Sequence, residues 1–305
     1  MANTDTVYLL DASVYVFRAW FGLPDSIRDQ RGRPVNAVLG YWRQLLASLT
    51  QVRSRWMLAA FDESLFSGFR HRLYEPYKAN RGLPDEELAY QLELCRLLTE
   101  ALGISCRSSA VYEADDVLAT AATVARSQGR SIALLTRDKD LAQLVQPGDC
   151  WWDWAGESPP MDHEALSLRW GVPPARIPDL LALAGDAVDN IPGVKGIGIQ
   201  AAKALMQHFG DLENLYRRLD EVVTLPLRGA ARMQRLLQEQ PHEAFLFRHL
   251  IQLHQADDLD PPIRFEDLWL VRPDVDYLRA LIRELQLGPA FLTPLERYWM
   301  EHYSI

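Results

Sequence analysis

Nine carboxylates stand where oxygen ligands could act together: Asp11, Asp62, Glu113, Asp115, Asp116, Asp138, Asp140, Asp186 and Asp189. Asp11, Asp62 and Asp138 each end a short apolar run, VYLLD, WMLAAFD and SIALLTRD. Asp138 and Asp140 flank Lys139, and Glu113-Ala-Asp-Asp116 opens a stretch of helical periodicity. An acid at a helix start ordinarily caps free N–H groups and gains from the helix dipole. That reading suits any one of the nine. It fails for the set, because like charges crowded at the end of an apolar strand repel one another unless a cation lies between them. An all-oxygen donor set suits Mg²⁺ or Mn²⁺ rather than zinc. Two such ions can activate water and stabilise the leaving oxygen of a phosphodiester.

The elements that must position these acids follow from hydrophobic pattern. Val7–Asp11, Trp56–Asp62 and Ser131–Asp138 read as buried strands, separated by helical patterns over Val35–Leu49, Glu86–Leu102 and Ala114–Arg126. Strand alternating with helix predicts an α/β fold, a mostly parallel sheet flanked by helices. Ligands bind beyond the carboxyl ends of such strands, which is where the three strand-end acids fall. Past about Pro159 the strand signal fades and helices dominate, punctuated by Gly171-Val-Pro-Pro174 and Ile191-Pro-Gly193. A boundary is placed near residue 160, with an α/β core over 1–160 and a helical lobe over 161–305 packed on it.

The motifs LLDAS, FD, Phe69-Arg-His, Tyr77-Lys-Ala-Asn-Arg81, Tyr112-Glu-Ala-Asp-Asp116, Thr136-Arg-Asp-Lys-Asp140 and Gly185-Asp-Ala-Val-Asp-Asn-Ile-Pro-Gly-Val-Lys-Gly-Ile-Gly198 occur in that order. In this the chain resembles the 5′ nuclease domain of bacterial DNA polymerase I, phage flap endonucleases and their stand-alone bacterial relatives. The resemblance runs from about Val7 to at least Asn214. It implies a PIN-like core with an arch insertion over about 63–100. It implies two metal clusters: Asp11, Asp62, Glu113, Asp115 and Asp116 in the first, Asp138, Asp140, Asp186 and Asp189 in the second. Some stand-alone relatives have lost acids of the second cluster; this chain keeps all nine, which implies an active enzyme.

The resemblance also assigns the basic residues. Lys78 would contact the scissile phosphate from the arch, Arg81 would assist, and Arg18 matches a further basic position. Arg70 and Tyr77 are candidate DNA contacts, Tyr77 either by stacking on a base or, equally, as a packed aromatic. Gly196-Ile-Gly198-Ile-Gln-Ala201 fits the loose dinucleotide-binding pattern, but it follows Asp-Asn-Ile-Pro rather than a strand. A tight turn feeding a helix N-terminus presents N–H groups to phosphate. The family counterpart is a helix-three-turn-helix over about 185–210, with DNA contacts expected from Lys195, Gly196, Ile197, Gly198, Ile199, Gln200 and Ala201. Gly196 and Gly198 are expected to let the backbone come close to phosphate. The resemblance further implies a potassium ion on backbone carbonyls of Leu183, Ala184, Pro192, Val194 and Ile197.

The bulk numbers are compatible with this. With 48% hydrophobic and 24% charged residues the chain is ordinary and globular, and no apolar run is long enough to cross a membrane. Cys95, Cys106 and Cys150 form no CxxC pair, so neither a disulfide framework nor a zinc site is expected, and a reducing cytoplasm fits. The net charge of −9 speaks against a nucleic-acid binder. Setting aside the nine acids leaves 32 of the 41, equal to the 32 Lys and Arg. Trp151, Trp152 and Trp154 are read as packing against the helical lobe rather than as a base-stacking patch. Arg217, Arg218, Arg228, Arg232 and Arg235 either face duplex phosphate or form solvated helix surface. The expected partner is 5′-flapped, overhanging or nicked duplex DNA, cut by a monomer without membrane association during replication and repair. The rival readings are a structure-selective RNase, a non-catalytic branch-binding module and a nucleotide-dependent oxidoreductase.

Overall fold

The structure, a computed structural model, describes residues 5–51, 54–63, 68–80, 82, 85–156 and 158–303, the last three by backbone alone. Thr6–Asp11 (β1) is an apolar run hidden on both faces, the pattern of a central parallel strand. Asp11 ends it and at once caps the next helix, Ala12–Gly22 (α1), accepting the Val14 N–H. Asn36–Leu49 (α2) is followed by Met57–Ala60 (β2), the short helix Phe69–Leu73 (α3) and Glu86–Ala101 (α4). Asp85 caps α4, and Glu86 and Glu87 sit in its first turn where the helix dipole favours acids. Ser105–Arg107 (β3), Ala114–Ser127 (α5), Ser131–Leu135 (β4), Cys150–Trp152 (β5) and Met161–Asp162 (β6) complete the sheet.

The strand order is β3-β2-β1-β4-β5-β6, parallel except for the last strand. After β1 the chain moves to one side through β2 and β3, then returns to place β4 on the other side of β1. The connections therefore part between β1 and β4, which opens a crevice at the carboxyl ends of those two strands. Asp11 ends one of them and Asp138 follows the other.

The sheet separates two apolar cores. On one face Leu9, Leu58 and Leu134 meet the alanine-rich α5 and the helical lobe. Small side chains such as Ala114, Ala121 and Ala125 let α5 lie close to the strands. The lobe comprises His163–Trp170 (α6), Ile177–Ala184 (α7), Ile199–Phe209 (α8), Leu212–Arg217 (α9), Ala230–Glu239 (α10) and Pro241–Ile251 (α11). On the other face Tyr8, Leu10, Met57 and Leu135 meet α1, α2 and α4. Val275–Glu284 (α12) and Pro289–Tyr303 (α13) cross back to this second face, where the Trp42 indole donates to the Phe291 carbonyl at 2.9 Å. Part of the segment expected as an arch, 63–100, packs on the core instead: Leu94, Cys95 and Leu98 of α4 belong to the sheet's helical layer. Residues 64–67, 83 and 84 lie outside the described part. Of the three tryptophans Trp151 packs toward the lobe as expected, whereas Trp152 and Trp154 pack on the opposite core, Trp154 against Tyr15 at 5.5 Å between rings.

Candidate active site

Each acid is set by its own local structure. Thr136, at the end of β4, donates its hydroxyl to Asp11 at 2.7 Å and accepts the Asp138 N–H at 2.8 Å, tying the two strand ends together. The Trp151 indole holds the Asp138 carbonyl at 2.8 Å, and Asp138 in turn accepts the Asp140 N–H at 2.8 Å. Ser13 accepts the Asp62 N–H at 2.9 Å, while the Asp62 carboxylate accepts the Ala114 N–H at 2.8 Å. Asp62 therefore meets the start of α5, where Glu113 and Asp115 also stand. Asp186 and Ile191 exchange two backbone hydrogen bonds, at 2.7 and 2.8 Å, which closes the loop carrying Asp189. Thr136 and Ser13 stood in the sequence only as members of motifs and Trp151 only as a packing residue; that they hold the acids went unread.

Charge shows which acids face one another. Burial pushes Asp11 up to about 7, and the charges of Asp62 and Asp138 add to it. Asp115 is raised well above the ordinary carboxylate range by burial, then by Asp138, Asp11 and Asp62. Burial also lifts Asp140 to about 8, reinforced by Asp138, Asp186 and Asp189. Asp138 is thus common to two overlapping groups, one with Asp11, Asp62 and Asp115, the other with Asp140, Asp186 and Asp189. Among the described residues no three donors are closed into a ready-made cage. Hydrogen bonds through Thr136, and from the start of α5 to Asp62, still bring these acids to one end of the sheet. What such a group lacks is positive charge, and an all-oxygen, strongly repelling set fits a hard divalent cation.

Three basic side chains enter the cluster. Lys139 contacts Asp140 at 3.1 Å and forms a short ion pair with Asp186. Lys78 donates to Glu113 at 2.8 Å and lies 3.8 Å from Asp189. Burial would raise Glu113, but Lys78 and Arg70 outweigh it and hold the carboxyl at about 2. Lys78 occupies the left-handed region at φ 52°, and its N–H donates to the Asp189 carbonyl at 3.0 Å. The turn at 76–80 and the loop at 187–190 are further joined by Asn80 to the Ala187 carbonyl and Asn190 to the Pro76 carbonyl, at 3.3 and 2.7 Å.

Three expectations change. Asp116 is fully buried and saturated: Arg70 grips both its oxygens at 2.5 and 2.8 Å, and the N–H groups of His254 and Glu113 take further lone pairs. It is an anchor for α3, with no lone pair directed at the crevice. Arg70, 2% exposed, also donates to the Leu250 and Gln252 carbonyls, so it cannot reach DNA. Tyr77 is 2% exposed with its hydroxyl donating to Glu113 and Asp189 at 3.0 and 3.2 Å; it orients acids and cannot stack on a base. Arg18 is exposed on α1 and donates to the Ala155 carbonyl at 2.9 Å. Arg81 lies outside the described residues.

The glycine-rich stretch forms a helical hairpin, α7–turn–α8. Gly196, at φ 93°, has the conformation expected of it, and Gly198 does not. Gly185 and Gly193 have φ of 85° and 69°, and their backbones cross so closely that a Cβ on Gly193 would lie 2.3 Å from the Gly185 nitrogen. Gly198, with φ −90° and open space around it, needs no glycine for its own conformation. It caps α8 without a side-chain acceptor, leaving the first N–H groups of that helix to face outward. Lys195, Gly196, Gly198, Ile199 and Gln200 are exposed and Ala201 is half-buried. The Ile197 side chain is buried in the core, so only its backbone could meet a ligand. Leu183 and Val194 each accept one N–H through their carbonyls, from Val194 and Ile197.

Comparison with known proteins places this arrangement. Residues 6–171 match the family model of the 5'-3' exonuclease N-terminal resolvase-like domain, and residues 172–276 that of the 5'-3' exonuclease C-terminal SAM fold. The chain is 31% identical to the 5'-3' exonuclease of Aquifex aeolicus, over 92% of both chains. It is 36% identical over 91% of its length to DNA polymerase I of Pseudomonas aeruginosa, of which it spans 30%. The fold matches the bacteriophage T5 D15 flap endonuclease, solved with DNA and metal ions, at a TM-score of 0.61 and 20% identity, covering 96% of this chain and 99% of that one. It matches the catalytic core of Rad2 in complex with DNA substrate at 0.62 and 17% identity, covering 97% and 91%. Strand-end acids at the sheet's crevice, the helical hairpin and both matched halves agree: the chain belongs to the 5'-3' exonuclease family.

Proposed function

We propose that this chain is a structure-selective 5′ nuclease, hydrolysing phosphodiester bonds of flapped, overhanging or nicked DNA in replication and repair. The observation that carries the proposal is the convergence of buried and half-buried carboxylates at the carboxyl ends of β1 and β4, joined by Thr136 and bounded by Lys78. Two divalent cations, Mg²⁺ or Mn²⁺, held among Asp11, Asp62, Glu113, Asp115, Asp138, Asp140, Asp186 and Asp189, would activate water and stabilise the leaving oxygen. The protein's own groups do the rest. Thr136, Ser13 and Trp151 fix the acids in place before substrate arrives. Lys78, held on Glu113 in the free protein, supplies positive charge to the reacting phosphate. The outward N–H groups at the start of α8 receive a phosphate of the duplex. The backbone carbonyls of Leu183, Ala184, Pro192, Val194 and Ile197 would supply oxygen ligands to a potassium ion.

The test is a labelled 5′-flap with its RNA-flap and exonuclease counterparts, incubated with purified protein in Mg²⁺ or Mn²⁺. Cleavage near the junction is expected, leaving 5′-phosphate and 3′-hydroxyl ends. Asp138→Asn keeps the oxygen that accepts the Asp140 N–H but removes the charge shared by both acid groups. Its single-turnover rate should fall by at least roughly 10²-fold, with flap binding in Ca²⁺ retained. Wild-type turnover by Asp138→Asn would sink the reading, and selective cutting of the RNA flap would replace it with the RNase.

A further inference from the structure

Helix α10 carries a row of cations that the active site does not use. Ala230, Met233 and Leu237 bury one side of it, while Arg232 and Arg235 are exposed on the other and exposed Arg228 precedes it by a turn. Among the described residues none of these three arginines has an ion-pair, carbonyl or ring partner. The neighbouring Arg217 and Arg218 are different: they are held by Asn214 and Glu221. Glu239, at the far end of α10, is the acid on the same exposed side and pairs with none of them.

The position of this row is set by packing on the hairpin. A Cβ on Gly196 would lie 2.8 Å from the Leu236 methyl, and the Lys195 N–H donates to the Gln240 side chain at 3.0 Å. Leu236 and Gln240 are one turn apart, and Arg232 is one turn before Leu236 on the same helix row. Arg232 therefore emerges beside the 193–198 turn, with Arg235 on the adjoining outward row. Exposed Lys195 adds a charge from the hairpin itself. In a chain of net charge −9, cations left without acids beside the free end of α8 point to a polyanion as their partner.

We propose that α10 is a second rail for the duplex: Arg232 and Arg235, with Arg228, contact phosphates of the same duplex arm that the hairpin grips. The proposal rests on the duplex-binding reading of that hairpin. Such contacts would carry affinity without base preference, and each would release counterions.

The experiment measures anisotropy of a labelled 5′-flap and of an unpaired strand in Ca²⁺, over about 50 to 200 mM salt. The Arg232→Ala/Arg235→Ala protein should bind the flap roughly 50-fold more weakly at about 0.1 M salt, with the log–log salt slope reduced by about 2. Its melting temperature should stay at the wild-type value. Arg232→Lys/Arg235→Lys should keep most of the slope, and Arg217→Ala/Arg218→Ala all of it. An unchanged slope in the double alanine protein, while wild type binds flap, would overturn the rail alone. So would an equal loss for the unpaired strand. If wild type itself shows no preference for duplex-containing DNA, the hairpin reading fails, and the rail with it.

Discussion

Two adjacent acids, Asp115 and Asp116, have opposite fates, and the difference predicts opposite phenotypes. Asp116 neutralises a buried arginine, so Asp116→Asn strands the Arg70 charge in the core and should cost about 3–5 kcal/mol. The melting temperature should drop by roughly 10 °C, at ~2–4 °C per kcal/mol for chains somewhat smaller than this one; a drop below about 2 °C would restore Asp116 to the metal group. The repelling acids act the other way. Asp11 at about 7 and Asp140 at about 8 keep protons that an unfolded chain releases above the ordinary 3.8. Through that window the native state binds more protons, so stability of the metal-free protein falls as pH rises from about 4 to 8. Thermal melts in chelator at pH 5 and pH 8 should show this loss, and Mg²⁺ or Mn²⁺ should reverse it at the higher pH. A flat profile would mean that the acids do not share a site. The types and spacing of these acids were legible in the sequence. Which of them Arg70 would claim was not, because the claim is completed by carbonyls at Leu250 and Gln252, some 180 residues further along.

At the scale of elements, the hairpin turns on a crossing of two backbones rather than on its exposed glycines. Gly193→Ala must push apart the 183–185 and 191–194 segments and place a side chain in the left-handed region, at a cost of about 1–3 kcal/mol before any clash. We expect a lowered melting temperature and a loss of potassium-dependent duplex binding together. Gly198→Val has room and an ordinary backbone, so its melting temperature should hold while duplex affinity falls, since the new side chain stands where phosphate would approach. The converse pattern in the two proteins would refute this division of labour. Long apolar strands and well-capped helices were legible because burial on both faces leaves continuous runs: β1, β2 and β4 were read within two or three residues. The three residues of β3 and the two of β6 have no such run, being half-exposed at the edges of the sheet, and nothing in their local composition marks them.

The whole molecule is closed by its last two helices, which hydrophobic pattern alone assigned to the helical lobe. Leu278, Ile282, Leu287, Phe291 and Leu295 are buried against α2 and α4, on the face of the sheet away from the lobe. Five such side chains at ~2 kcal/mol each amount to about 10 kcal/mol, comparable to the whole stability of a typical domain. Deleting residues 274–305 should therefore give an unfolded or aggregated product, although no acid of the site is touched. A soluble, active truncation would show that the second core is dispensable. The chain's return to the first helical layer was hidden because an amphipathic helix states that it packs, and not on what.

The hairpin and the strand ends share one continuous apolar core, in which Val194, Ile197 and Ala202 join Leu9 and Leu58. The 76–80 turn and the 187–190 loop are stitched together across it. Under the proposed reading, a grip and a blade mounted on one continuous core would make a gauge. The offset between the held duplex and the severed bond would be a length built into the protein, counted in nucleotides and indifferent to which bases fill it. Flaps of different sequence and length would then all be trimmed at one spacing from the junction, leaving ends of the kind that a ligase can seal.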